Sequence, residues 1–251
     1  MSALILKDTE VARIAEEVAR CMAQSISNGA GTFIRTPVLY PSGSSVVVHL
    51  DGSRDRFFVS DYGYGYAEAD MMGAPASYVR TARDLAERTG IGFDARSFFV
   101  AEATRDELVG TVAAIADCSQ RAVTETAFRL EAKKTEEDKE EVISRLLDVF
   151  GRQKVELHPD VVGASSIAWP VLARVNGLSG PVIFDYSKAN RRSAANIAAK
   201  NHDIARLERA PKRIVAVRSK PDMDGLVALL AQSASVIEIG VPSETYRSLA
   251  A

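Results

Sequence analysis

The sequence has few of the residues that proteins use to hold structural metals or to cross-link a chain. Its 251 residues include two cysteines and three histidines, which are too scattered to supply the four ligands of a tetrahedral zinc site. Cys21 and Cys118 both fall on the apolar faces of predicted helices. This placement favours two buried free thiols over a disulfide, and it favours a reducing compartment.

Long apolar runs are also missing. No stretch approaches the ~20 apolar residues that span a bilayer, and residues 1–6 have neither the basic start nor the apolar core of a signal peptide. P-loop, dinucleotide-binding, Gly-x-Ser-x-Gly and kinase motifs do not occur. We therefore expect a cytoplasmic protein that does not bind membranes, and the sequence indicates none of those enzyme classes.

The overall composition is that of a globular protein. Hydrophobic residues make up 47% of the chain and charged residues 25%, which are ordinary values for domains that bury a core. The length is enough for two modest domains. The net charge of −2 excludes no class of partner, because a local excess of one sign can hide within a balanced total.

The first half of the chain predicts a helix followed by an antiparallel meander. Apolar residues at three- and four-residue spacing indicate a helix over 8–27, with Asp8 as its N-cap. β-rich runs separated by turn residues come next, and helical periodicity then returns. The predicted elements are strands 32–40, 44–50 and 56–60, a helix 64–72, a second helix that follows the break at 73–75 and ends at Thr89, and a strand 97–100.

A long helix is predicted to link two domains. It begins near Thr104, where Thr104 and Glu107 have the spacing of a capping box. Apolar residues vanish over 131–141, and such a run of acids and lysines is typical of a solvated helix face or linker. We place the boundary in this run, which gives an N-terminal α+β domain, 1–134, and a C-terminal α/β domain, 135–251.

The C-terminal domain is predicted to alternate helices and strands. Its order of helix, three strands, helix, strand resembles the core of restriction-endonuclease-like folds, so the predicted fold class is α+β with that order in the second domain. The predicted elements are helix 136–150, strands 154–158, 166–175 and 181–186, helix 189–209, strand 213–217, helix 222–232, strand 235–239 and helix 243–250.

The resemblance to those nucleases implies a set of candidate catalytic residues. Such enzymes hold Mg²⁺ with carboxylates of the second and third core strands, and a lysine two residues after the third-strand acid helps to position or activate the attacking water. The matching residues are Asp160, Asp185 and Lys188, with Mg²⁺ as the implied cofactor. One extra residue separates Asp185 from Lys188, however, and sends the lysine to the opposite face of a regular strand unless a bulge intervenes.

The second core strand also carries no acid, so the sequence favours a catalytically silent form of this fold that is used for binding. We expect the carboxylates of Asp160 and Asp185 to lie too far apart to share a metal. Outside the nuclease alternative, no cofactor and no metal site is predicted.

The segment Arg56–Gly63 is the most distinctive motif of the chain. It is a strand followed by Ser60-Asp61-Tyr62-Gly63, and an alanine-rich helix comes after it. With the preceding hairpin it resembles the N-terminal domain of an uncharacterised two-domain family of bacteria, phages and prophages. The resemblance covers about residues 10–130, and the rest of the chain is similar to the companion C-terminal domain. It implies a mobile-element context and no known chemistry.

Asp61 and the neighbouring tyrosines are candidate binding residues. Asp61 is either a turn-forming residue, with Gly63 supplying a positive φ, or an exposed carboxylate available to a metal or to a cation of a partner. Tyr62, Tyr64 and Tyr66 alternate along one short segment and cannot all face one core if that segment is helical. They form either an exposed recognition patch or a packing surface for the neighbouring hairpin.

Basic residues dominate the segment 188–220, whose only acids are Asp203 and Glu208. Such a segment attracts phosphates or an acidic protein, unless the acidic run 131–141 packs alongside and compensates it. His202 and Asp203 are adjacent on a predicted helix and diverge, which makes a catalytic pair improbable. The candidate binding residues of the segment are Arg191, Arg192, Lys200, Arg206 and Arg209.

The preferred hypothesis is a macromolecule-binding protein; the resemblance to the two-domain family implies a phage or prophage origin and a role in occupying a host defence component. Its partner would be a protein or a nucleic acid bound through the basic segment 188–220. The alternatives are a Mg²⁺-dependent nuclease of restriction-endonuclease-like fold and a nucleic-acid-binding accessory protein. The sequence sets no oligomeric state.

Overall fold

The computed structural model describes residues 8–28, 31–177 and 180–250. It confirms the α+β class, with an antiparallel N-terminal sheet, a long helix, and a C-terminal sheet with helices. The chain divides into two compact units, Met1–Glu131 and Ala132–Ala251, which we call unit 1 and unit 2. None of the described helices is long and apolar enough to cross a membrane.

Unit 1 is built on one antiparallel sheet, in the order β1-β2-β3-β4-β6-β5. Its elements are α1 (Asp8–Cys21), β1 (Gln24–Asn28), β2 (Gly31–Leu39), β3 (Ser45–Ser53), β4 (Arg56–Ser60), α2 (Tyr64–Met71), α3 (Pro75–Thr89), β5 (Gly92–Asp94) and β6 (Ser97–Ala103), after which α4 (Leu108–Phe150) begins.

One face of this sheet forms the core of unit 1. Val46 and Val48 of β3 are fully buried, as the two-residue alternation of a strand with one covered face requires. Helices α2, α3 and α4 complete the core. The large buried side chains of this cluster include Tyr40, Val59, Tyr78, Leu85, Phe98, Ile115 and Val123.

The predicted helix 8–27 is too long. Helix α1 ends at Cys21, and Gln24–Asn28 forms β1, which pairs with β2. The apolar spacing stops at Met22, and the segment after it alternates serine with isoleucine, a period that suits a strand. The side chain of Asp8, the expected N-cap, lies outside the described residues.

Two local predictions about side chains have different outcomes. The capping box at the start of the long helical stretch is confirmed, because the Glu107 carboxylate accepts the backbone N–H of Thr104 at 2.8 Å. Both cysteines are free thiols, as predicted. Cys118 is buried, whereas Cys21 is exposed because no described element covers α1.

Unit 2 contains a five-stranded mixed sheet in the order β13-β12-β11-β10-β7. Strands β10 and β11 are antiparallel, whereas β11, β12 and β13 run parallel. After the end of α4, its elements are β7 (Val155–Leu157), β8 (Asp160–Val162), β9 (Ala168–Pro170), β10 (Ala173–Gly177), β11 (Gly180–Tyr186), α5 (Arg191–Ala205), β12 (Lys212–Val217), α6 (Leu226–Ala231), β13 (Ser235–Glu238) and α7 (Ser243–Ala250).

The predicted strand 166–175 is in fact two strands. The chain turns between Pro170 and Ala173, so that β9 pairs with β8 in a separate hairpin while β10 joins the main sheet. The three core strands are therefore β7, β10 and β11. The hairpin β8–β9 is inserted between the first and the second of them.

Strand β11 is the centre of unit 2 and is buried on both faces. Phe184 packs with residues of α4 and α7 on one face, and Ile183 packs with Ile204 of α5 on the other. Because side chains alternate along a strand, Asp185 shares the face of Ile183. It therefore faces α5 from the interior of the unit.

Candidate functional site

Asp61 is completely buried in unit 1. Its Oδ1 accepts the backbone N–H of Phe98 at 2.9 Å and of Gly63 at 3.3 Å, and its Oδ2 accepts the hydroxyl of Ser119 at 2.7 Å. Gly63 has a φ of +78°, as the turn-forming alternative requires. The binding role predicted for Asp61 is therefore corrected, because a carboxylate enclosed by its own chain has no access to a partner.

Asp61 belongs to a buried polar group that we call the Asp61 cluster, made of Tyr40, Asp61, Gly65, Tyr78 and Ser119. The hydroxyl oxygens of Tyr40 and Ser119 are 2.8 Å apart. A Cβ at Gly65 would lie 2.5 Å from the hydroxyl oxygens of Ser119 and Tyr78, so this position requires glycine. Burial raises the pKa of Asp61, although the hydrogen bonds from Ser119 and the backbone oppose that rise.

The three tyrosines differ in exposure. Tyr62 is 59% exposed and Tyr64 41%, whereas Tyr66 is half-buried under the guanidinium of Arg96, 4.6 Å from its ring centroid. The Tyr62 ring also packs against His49, with 4.9 Å between centroids. Two of the three rings thus remain open to a partner, and Tyr66 serves packing.

Unit 2 contains an open cavity of about 530 Å³ at the end of β11. Helices α4 and α5 and the loops around β10 and β11 supply its walls. The lining is rich in both signs of charge, with three carboxylic acids and three lysines. Its polar side chains are Thr135, Glu136, Lys139, Glu140, His158, Asp185, Tyr186, Lys188, Ser193, Asn196 and Lys200.

A buried ion pair lies in the wall of this cavity. The ammonium of Lys200 is 2.8 Å from Asp185 Oδ1 and donates a second hydrogen bond to the Pro170 carbonyl at 2.7 Å. Both side chains are more than nine-tenths buried. Leu172 N–H also donates to Oδ1, whereas Oδ2 is buried and has no hydrogen-bond partner among the described residues.

This pair sets the electrostatics of the cavity wall. Burial raises the pKa of Asp185, and the charge of Lys200 opposes that rise. Lys200 was predicted to bind a ligand from the surface. It is instead 7% exposed and neutralises an internal carboxylate, so that role is corrected.

Of the other two candidate nuclease residues, Lys188 lines the cavity and Asp160 does not. Lys188 lines the same cavity as Asp185, although a regular strand would have turned it away. The reason is that β11 ends at Tyr186, so strand alternation does not extend to Lys188. Asp160 is exposed on β8 and is not among the residues that line the cavity.

The side chain of Asp203, on α5, contacts the β8–β9 hairpin. Its carboxylate accepts the Ser165 hydroxyl at 2.6 Å, the Ser165 N–H at 2.9 Å and the Trp169 indole N–H at 2.7 Å. It therefore fixes the hairpin to α5 and does not orient His202. Asp160 lies in the first strand of the hairpin, opposite Pro170 of the second strand.

The basic segment 188–220 divides into engaged and exposed residues. Arg218 forms ion pairs with Asp138 and Glu141 of α4, and Arg213 donates to the carbonyls of Ser233 and Pro211. The acidic run thus compensates one arginine of the segment. Four arginines are exposed and form no ion pair within the described ranges; we call Arg191, Arg192, Arg206 and Arg209 the basic surface.

The described residues contain no group of three or more His, Cys, Asp or Glu side chains arranged to hold a metal ion. Asp185 is the buried acid of the cavity, and Glu136 and Glu140 lie at its exposed wall. A single buried carboxylate that is already paired with a lysine is a poor cation site, because the lysine supplies the charge that the cation would bring.

Sequence reasoning missed the pairing of Lys200 with Asp185, although one signal was present. Ala194, Ile197 and Ile204 mark the buried stripe of α5, and Lys200 lies three residues after Ile197. A lysine within an apolar stripe needs an internal partner. Asp185, on the strand that precedes α5, was the acid available.

Comparison of the chain with protein-family models, curated proteins and solved structures returns no match. The assignment of a function therefore rests on the geometry of the two units.

Proposed function

We propose that this protein binds nucleic acid through the basic surface of unit 2. The observation that supports the proposal is the exposure of Arg191, Arg192, Arg206 and Arg209 at the two ends of α5. Arginine is suited to phosphate because its planar guanidinium donates two parallel hydrogen bonds to phosphate oxygens.

The charges around this surface favour an anionic ligand. Of the two acids in the segment, Asp203 accepts three hydrogen bonds from the β8–β9 hairpin, and Glu208 is an exposed acid between Arg206 and Arg209 in the sequence. Phosphate contacts of this kind release condensed counterions, so the affinity falls steeply with salt and depends little on base sequence.

A charge-matched pair of variants tests this proposal. The triple variant with Arg191→Ala, Arg192→Ala and Arg206→Ala should lower the affinity for a DNA or RNA duplex by about tenfold or more. The slope of log K against log salt concentration should become shallower by the amount that corresponds to the loss of about three phosphate contacts. The control combines Arg83→Ala, Arg105→Ala and Arg129→Ala, exposed arginines of unit 1 that change the net charge equally.

Fluorescence anisotropy at several salt concentrations measures both quantities. Equal losses in the two triple variants would contradict the basic surface, because the effect would then follow total charge alone. No binding of DNA or RNA by the wild-type chain at low salt would contradict nucleic acid as the ligand. It would leave an acidic protein, such as the host defence component implied by the family resemblance.

A second candidate function is Mg²⁺-dependent cleavage of the bound nucleic acid. The observation that favours it is the unpartnered Asp185 Oδ2 in the wall of a cavity that Lys188 and Glu140 also line. Mg²⁺ is often held by one or two carboxylates together with substrate phosphates. Asp185 paired with Lys200 is a poor cation site by itself, so this function requires phosphates of the bound nucleic acid to complete the site.

Incubation of supercoiled DNA with the chain and Mg²⁺ or Mn²⁺ tests this second function. Cleavage that is kept in Asp160→Asn, and lost in an Asp185→Asn protein that still folds and binds DNA, would support it. Absence of cleavage by the wild-type chain, with DNA binding intact, would leave binding as the function.

A further inference from the structure

Helix α1 presents an apolar stripe that no described element covers. Val11, Ile14, Val18 and Met22 are between 41% and 55% exposed, and their three- and four-residue spacing places them on one side of the helix. A lone helix of this length, 14 residues, is marginal in water. Burial of the stripe would therefore stabilise α1.

Strand β1 follows α1 after two residues and is the outermost strand of the unit 1 sheet. All five of its residues are exposed. Edge strands that must stay unpaired usually carry charged residues or proline, but β1 is Gln-Ser-Ile-Ser-Asn and has neither. Among the described strands, β2 alone pairs with β1, so the other edge of β1 faces no described strand.

The sequence of β1 is complementary to itself. In an antiparallel pair centred on Ile26, Gln24 lies opposite Asn28 and Ser25 opposite Ser27 of the other copy, while the two Ile26 residues meet. Amide then faces amide, hydroxyl faces hydroxyl, and apolar faces apolar, with no charge on either strand. This pairing is symmetric about Ile26, as a twofold interface between two identical chains requires.

The charge of α1 argues against other occupants. Its polar face carries Glu10, Glu16 and Glu17, and its two arginines are ion-paired within the helix, Arg13 with Glu17 and Arg20 with Glu16. This acidic excess repels anionic lipid surfaces and nucleic acid. A neutral edge strand beside a helix with internally paired arginines fits a second copy of the same chain.

We propose that α1 and β1 form a homodimer interface. Two copies pair along their β1 edges in antiparallel fashion about Ile26, and the apolar stripes of the two α1 helices are buried in the same contact. The interface lies in unit 1 and is independent of the nucleic-acid-binding function proposed for unit 2.

Sedimentation velocity of the full chain from about 1 to about 100 µM tests the proposal, because dimerisation follows mass action. The sedimenting wild-type particle should have twice the monomer mass of 27.1 kDa. Ile26→Lys places like charges opposite each other at the twofold axis, and Val18→Glu puts a charge into the stripe. Each should raise the dimer dissociation constant by at least about tenfold.

Matched controls are Val162→Lys, on an exposed strand position of unit 2, and Val109→Glu, on an exposed helical position of α4; these valines are 57% and 84% exposed. Both controls should remain dimeric. A monomeric wild-type chain at every concentration would overturn the proposal, as would Ile26→Lys and Val18→Glu dimers with unchanged affinity. Co-sedimentation of monomeric wild-type chain with phosphatidylserine vesicles would overturn it in favour of a lipid surface.

Discussion

The two units each bury one aspartate at the end of a central strand, and they treat it in opposite ways. In unit 1, both oxygens of Asp61 accept hydrogen bonds from neutral donors, and the group is sealed. In unit 2, Asp185 is paired with the cation of Lys200, keeps one oxygen without a partner, and lines an open cavity.

This difference in hydrogen bonding and access distinguishes an aspartate with a structural role from one that can contact a ligand. Neutral donors engage both oxygens of the Asp61 carboxylate within the fold, so this carboxylate ties β4 to α4. The Asp185 pair costs desolvation of two charges, and buried pairs are weak evidence for stability. Its position in a cavity wall suits a site that must present charge to a ligand.

The largest effect is expected when the Asp185–Lys200 pair is broken. Lys200→Met leaves an uncompensated carboxylate in the interior and should lower the free energy of unfolding by about 3–5 kcal/mol, as measured by urea denaturation. Lys200→Met with Asp185→Leu removes both charges and should recover most of that loss.

Lys212→Met is the control for the loss of a lysine, since Lys212 is exposed on β12; its effect should stay within about 0.5 kcal/mol. A Lys200→Met protein within about 1 kcal/mol of wild type would show that the carboxylate is already neutral. The contrast with the Asp61 cluster would then disappear.

A smaller loss is expected from the sealed site. Asp61→Asn keeps an oxygen for the N–H groups of Phe98 and Gly63 but turns the other acceptor into a donor facing Ser119. The hydroxyl of Ser119 can accept in its place, so the free energy of unfolding should fall by only about 1–2 kcal/mol.

Asp51→Asn provides the matched control, because Asp51 is an exposed strand residue that accepts one N–H, from Gly52. Its unfolding free energy should be nearly unchanged. A loss at Asp61→Asn as large as that at Lys200→Met would mean that the charge of Asp61, and not its hydrogen bonds, holds the cluster together.

The smallest effect is a difference in the pH dependence of two aspartates. Burial raises the pKa of Asp61, so the folded state holds the proton more tightly than the unfolded chain. The wild type should therefore gain stability relative to Asp61→Asn as pH falls through the raised pKa toward the unfolded value of about 3.9.

Asp203 should show the opposite sign. Hydrogen bonds from Ser165 and Trp169 lower its pKa, so its stabilising contribution is present above the unfolded value and is lost as pH falls through the lowered pKa. Urea denaturation of wild type, Asp61→Asn and Asp203→Asn between about pH 7 and about pH 3 measures both differences. The same sign in both variants would refute the assignment of causes.

Local patterns predicted four of the six described strands of unit 1, namely β2, β3, β4 and β6, because their signals are short-range. Strand β5 was not predicted, because it is three residues long and Gly90 and Gly92 suit a turn. Gly63 and the residues before it have the spacing of a turn, and the structure contains that turn. The boundary between α1 and β1 was missed, since Met22 extends the helical spacing up to the point where strand pairing takes over.

The hydrogen-bond partners of the two buried aspartates could not be predicted from local sequence patterns. Asp61 and Ser119 are 58 residues apart, and Asp185 and Lys200 are 15 residues apart on a strand and a helix. Which acid meets which donor depends on the packing of whole elements, and spacing along the chain does not report it. The nuclease alternative grouped Asp160 with Asp185 and Lys188, whereas the structure places Asp160 on an inserted hairpin, outside the residues that line the cavity.

Because Lys200 is buried, the rate at which its amine is acylated reports how often α5 separates from the sheet of unit 2. An acylating reagent needs a free, solvated amine, and this one is enclosed by the Asp185 carboxylate and the Pro170 carbonyl. Exposed lysines such as Lys212 react at once, whereas Lys200 reacts only when α5 transiently separates from the sheet. The ratio of the two labelling rates therefore reports the free energy of that opening in the native protein, without denaturant.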